Sequence, residues 1–189
     1  MKFISYTEII SLTGKSSSGD FGGNQFDGQK IKDLMGTDGY SYMFHTKLQS
    51  CDTPAALITY VGWGQVKETM YAQVQKDGDV WNLYLKYYNE YHQWQDVGKK
   101  ALSQAQLDKI AGEGLHLFMV NSNASKYSLY VENDDGTNVI LVAEFSSKVT
   151  NKQVYQVSHN VVGLTTKGYF YKNYVAPQEA AKNLLDILK

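Results

Sequence analysis

Arginine is missing from this 189-residue chain: all 18 basic residues are lysines. The planar, permanently charged fork that grips phosphates, carboxylates and guanine edges in bidentate fashion is therefore unavailable. The formal net charge is −1 with both signs interspersed, so no summed field steers a polyanion, and nucleic acid is not an expected partner. Cysteine occurs once, at Cys51, which rules out an internal disulfide and a cysteine-based zinc cluster. Apolar runs such as Ala55 to Ile58 are a few residues long, against the roughly 20 that a membrane-spanning helix needs. Met1-Lys2-Phe3-Ile4 begins like a secretory leader, but Ser5-Tyr6-Thr7-Glu8 interrupts it before an apolar region develops. The expected compartment is the cytoplasm if nothing was removed ahead of Met1, and extracytoplasmic if a leader was.

What fills the composition is aromatic and neutral-polar. There are 15 tyrosines and three tryptophans, with 43% hydrophobic and 20% charged residues. Soluble domains carry about 25% charge, so this is an ordered globular chain whose polar character comes mainly from Asn, Gln, Ser, Thr and Tyr. Its length suits a single domain, 1–189, with possible halves 1–100 and 101–189.

Helices are predicted from caps. Ser5 with Glu8, stapled by Ile4 and Ile9 and ended by Gly14, predicts a helix over 6–13. Asp27, with Phe26 and Ile31 as its staple, starts another that stops at Gly36. Ser103 with Gln106, the Leu102/Leu107 staple and Gly112 beyond predict a helix over 104–111. Pro177, then Ala181, Leu184, Leu185 and Leu188 at helical spacing, predict a C-terminal helix with its leucine face on a sheet. Asp52-Thr53-Pro54 suggests a further helix over 54–61.

Strands are predicted from alternation between turn residues. Val66, Met70, Ala72 and Val74 share one face, Lys76-Asp77-Gly78-Asp79 reverses the chain, and Trp81, Leu83, Leu85 and Tyr87 alternate on the return. Tyr127, Leu129 and Val131 lead into Asn133-Asp134-Asp135-Gly136, after which Val139, Leu141, Ala143 and Phe145 are expected in the same register. His116, Phe118 and Val120 form a strand before that hairpin. Val161 to Thr165 and Tyr169 to Tyr174 form a third pair around Lys167-Gly168. The predicted class is α+β: an antiparallel sheet built from hairpins, with short N-terminal helices, one central helix and a C-terminal helix packed on the sheet.

Cys51 is the sharpest chemical candidate. At the N-terminus of a 54–61 helix its thiol would be acidified, and His116 or His159 on a strand would serve as base, with Asn121 or Asn160 to orient it. Cysteine on a helix followed by histidine on a strand resembles the order in papain-like cysteine peptidases, which implies a hydrolase or transferase. Adjacent Asp52 opposes the thiolate, and a small apolar residue is the plainer explanation. His45, His92, His116 and His159 lack metal-site spacing, and no metal or other cofactor is expected. Asn133 to Asn138 has the oxygens of a calcium loop without its closing glutamate, and a hairpin turn accounts for it.

The remaining signal is a run of rings. Tyr84, Lys86 and Tyr88 face away from the core side of their strand, and Tyr91-His92-Gln93-Trp94 follows at its end. Tyr84, Tyr88, Tyr91, His92 and Trp94 form the candidate surface of a non-enzymatic domain that binds a protein or carbohydrate. A barrel holding a small apolar ligand in a tyrosine-lined cavity is the third reading.

Overall fold

The computed structural model describes residues 39–48, 55–63, 68–88, 91, 93–122, 126–146, 154–158 and 164–171. Ten strands and one helix lie among them. The strands are β1 (Gly39–Leu48), β2 (Ala55–Trp63), β3 (Glu68–Asp77), β4 (Val80–Tyr88), β5 (Trp94–Ala101), β6 (Leu115–Ser122), β7 (Lys126–Glu132), β8 (Val139–Ser146), β9 (Val154–Ser158) and β10 (Leu164–Tyr171); the helix is α1 (Gln104–Ala111).

The strands form two five-stranded antiparallel sheets, ordered β10-β1-β6-β7-β8 and β5-β4-β3-β2-β9. The first and last described strands nest: β1 pairs β10, and β2 pairs β9 in the other sheet. Two meanders, β3-β4-β5 and β6-β7-β8, complete the sheets, a double-sheet plan of the jelly-roll kind. Alternation explains the core. On β4, Leu83, Leu85 and Tyr87 turn inward with Ala72 and Val74 of β3; from the first sheet come Leu115, Leu117, Tyr127, Leu129 and Val131. Phe145 bridges the layers, its ring 4.8 Å from Tyr87 and 5.2 Å from Tyr127. The described strands form two separate sheets with this core between them, so the closed barrel of the third reading is replaced by a sandwich.

Both hairpins form where turn chemistry placed them. Asp77 pairs with Val80 across Gly78, whose φ of +59° lies in the left-handed region that glycine enters without strain. The β7–β8 hairpin departs from the expected register. Leu129 faces Ala143 but Tyr130 faces Leu141, so Val142 is an extra, bulged residue. Leu141 is consequently 43% exposed, whereas Val142 and Ala143 pack on the core.

Helix α1 spans the predicted residues, with both halves of its capping box formed: Gln106 N–H donates to Ser103 Oγ at 3.1 Å, and Ser103 N–H to Gln106 Oε1 at 3.0 Å. It is the one helix among the described residues; those predicted over 6–13, from Asp27 to Gly36 and at the C-terminus lie outside them. The helix predicted over 54–61 is corrected to strand β2. Ile58, Thr59, Val61 and the rings of Tyr60 and Trp63 favour extended backbone, and β3 and β9 supply ladders on both sides. Lys167-Gly168 is likewise no turn: β10 runs straight through it, pairing Lys167 with His45 and Gly168 with Phe44.

Candidate functional site

Cross-strand register aligns positions of the second sheet in rows. Gln73, Tyr84 and Lys99 form one row, Tyr60, Tyr71, Lys86 and Asp96 a second, and Tyr88 with Trp94 a third. Tyr84 takes the outward position expected, yet only 7% of it is exposed. Two ammonium groups lie over its ring, Lys86 Nζ at 4.9 Å and Lys99 Nζ at 5.3 Å from the centroid. Its hydroxyl donates to Asp77 Oδ2. The same oxygen accepts from Asn82 Nδ2 at 3.0 Å and Lys99 Nζ at 2.9 Å, while Asp77 Oδ1 accepts from Gln75 Nε2 at 2.9 Å.

These bonds perturb the group together. The Tyr84 and Lys99 donors hold the Asp77 carboxyl at about 2. Asp77 in turn keeps the Tyr84 proton in place and raises the Lys99 ammonium. Tyr84 is thus a fastener for the hairpin turn, and the expectation of an open ring there is corrected.

Openness increases towards the β4–β5 connection. Tyr91 is 72% exposed, with exposed Gln93 and Gln95 after it. Asp96 pairs with Lys86 at 3.3 Å across the face, its side chain 62% exposed. Tyr88 and Trp94 are register partners at this end of the strands, and His92 lies outside the described residues.

His116, one of the candidate bases, belongs elsewhere. Glu132, at the end of β7, is 4% exposed. It accepts from His116 N–H at 2.9 Å, from His116 Nδ1 at 2.6 Å and from Lys109 Nζ on α1. Burial opposes its charge, but the hydrogen bonds from the His116 ring, Lys109 and the His116 backbone outweigh burial and hold the carboxyl at about 2. The buried Gln106 side chain adds a bond to Glu132 O at 2.7 Å. His45 on β1 lies across from His116, ring centroids 4.6 Å apart. The carboxylate orients the imidazole, the part that Asn121 or Asn160 was expected to play. Cys51 and His159 lie outside the described residues, and with β2 extended there is no helix over 54–61 to acidify the thiol. Sequence reasoning missed Glu132, whose partners His116 and Lys109 come from another strand and the helix.

Among the described residues, no group of three or more His, Cys, Asp or Glu side chains is arranged to hold a metal ion, and no helix is long and apolar enough to cross a membrane.

No protein-family model matches the chain, and no curated protein is similar to it in sequence. Solved structures do share its fold. The receptor-binding domain of botulinum neurotoxin D superposes with a TM-score of 0.55 at 7% identity, over 80% of this chain and 37% of that one. The binding domain of botulinum neurotoxin DC, in a complex with rat synaptotagmin II, gives 0.53 at 10% identity over 81% and 36%. The same domain in complex with SialylT gives 0.51 at 9% identity, again over 81% and 36%. The chain therefore spans a little over a third of the length of these structures. At such identities the likeness concerns the fold alone.

Proposed function

We propose that this chain is a binding domain whose ligand, a protein or a carbohydrate, is taken at the β4–β5 end of the second sheet. The observation that carries the reading is Tyr91, 72% exposed at the tip of the connection. An open tyrosine ring provides a flat apolar face with a polar tip at low entropic cost. Exposed Gln93 follows it in the chain, and the adjoining strands carry the mutually neutralised Lys86–Asp96 pair. A ring for the apolar face of a pyranose, a neighbouring amide for its hydroxyls and a neutralised ion pair on the adjoining strands suit a neutral carbohydrate better than an acidic one. Use of this fold by receptor-binding domains, seen in complexes with a protein and with SialylT, supports a recognition role.

A glycan microarray and a pull-down, each run with the wild-type chain and Tyr91→Ala, test the reading. Loss of one ring contact, worth ~1 kcal/mol, is expected to weaken capture about five- to tenfold. Unchanged capture by Tyr91→Ala would remove this end of the sheet from the binding surface. Loss confined to the pull-down identifies the ligand as protein.

A further inference from the structure

The cluster beneath helix α1 is not used by the binding reading. His45 and His116 are direct cross-strand partners on β1 and β6, their ring planes inclined at 47° and their centroids 4.6 Å apart. An ionised carboxylate only accepts hydrogen bonds, so His116 carries a hydrogen on Nδ1, towards Glu132, and takes up any second proton at Nε2. Gly114 confines His45: a Cβ built at that glycine would lie 2.0 Å from both Cε1 and Nε2 of the imidazole. The close approach requires glycine, and the Gly114 φ of +116° favours it as well.

The charges around the pair are unequal. Helix α1 contributes Lys109, which binds Glu132 and reaches Asn133 O at 3.5 Å. Strand β7 contributes Glu132, and Lys167 of β10 holds the register position opposite His45. In the following turn, Asp134 is occupied by Ser103 Oγ at 2.7 Å, and Asp135 accepts from Thr137 N–H at 2.9 Å. One buried carboxylate thus serves a lysine and a histidine. When both imidazoles are charged, two positive rings face each other at 4.6 Å, and that repulsion adds to whatever other contacts each ring makes.

We propose that His45, His116, Glu132 and Lys109 form an acid-sensitive joint, which loosens helix α1 and the turn through Gly114 from the first sheet when both histidines become protonated. Glu132 stays ionised across the range in which histidine as a residue type changes charge, about pH 5 to 8.

Hydrogen exchange at pH 7.5 and pH 5.5, corrected for intrinsic rates, tests this on the full chain. In the wild type, protection of residues 104–116 is expected to fall about tenfold relative to the β3–β4 hairpin. His45→Gln, which cannot take the charge, is expected to keep its protection at both values. Equal pH responses in wild type and His45→Gln would overturn the proposal. Unchanged wild-type protection between the two values would overturn it too, whether or not the variant folds.

Discussion

Glu132→Gln keeps side-chain volume and removes one buried charge, and its effect can be worked from the contacts. The Glu132 carboxyl moves from 4.5 to about 2 on folding, a difference of about 2.5 units, or about 3 kcal/mol at ~1.36 kcal/mol per unit. Lys109 is 17% exposed, and screening by water on that side reduces the figure to about 2 kcal/mol. The glutamine amide would also turn an N–H group towards a donor already in place, His116 Nδ1 or Lys109 Nζ, leaving one donor unsatisfied. At pH 7 the melting midpoint should fall by roughly 4–8 °C for a domain of this size. Because the folded-state value is the lower one, this stability is present above about pH 4.5 and lost as pH falls towards 2. Urea titrations of wild type and variant should therefore show a gap at pH 7 that closes as pH falls through the carboxylate range. A gap under about 0.5 kcal/mol at pH 7, or one that does not narrow on acidification, would refute the account of the charge balance.

Two further substitutions probe the packing. Gly98→Ala on β5 places a Cβ 2.8 Å from Ala143 Cβ on β8; it should destabilise by about 1–3 kcal/mol in urea unfolding, and Ala143→Gly in the same chain should recover most of the loss. Ser103→Ala removes the α1 cap and the bond to Asp134; a loss of about 1 kcal/mol, read as a drop in melting midpoint of roughly 2–4 °C, is expected.

The parts of the fold legible in the sequence were those set by neighbours along the chain. Gly78 and the Asn133-to-Gly136 turn announce their hairpins, and Ser103 with Gln106 announces α1. Strand β2 was misread because Asp52-Thr53-Pro54 imitates a helix start, while the ladders that make Ala55–Trp63 extended come from β3 and from β9, about a hundred residues later. Strand β1 had no turn signal of its own, and its partners β6 and β10 are equally remote. The site followed the same rule. Tyr84 was placed on the correct face from period-two alternation, but the Lys99 stem that covers it belongs to a strand brought alongside only by pairing. His45, Lys109, His116 and Glu132 span three strands and a helix, and no sequence spacing relates them.

The two edge strands on one side of the sandwich show how such a non-local feature can matter more than local propensity. On β5, Leu85 faces Gly98 and Lys86 faces Asp96, so Val97 is extra; on β8 the extra residue is Val142. Each bulged valine packs against the core, and each is followed by the residue that touches the opposite sheet, Gly98 meeting Ala143. The bulges are thus stacked. A bulge sharpens the twist of an edge and spoils the regular array of free N–H and C=O groups that would template another strand. On β8 the arrangement leaves Ile140 and Leu141 partly exposed, an apolar edge that would invite pairing if it were flat. The bulge at Val142 thus interrupts the ladder of an apolar edge strand of the described sheet, and Gly98 beside Val97 leaves the room that Ala143 occupies, since a Cβ there would lie 2.8 Å from the Ala143 Cβ.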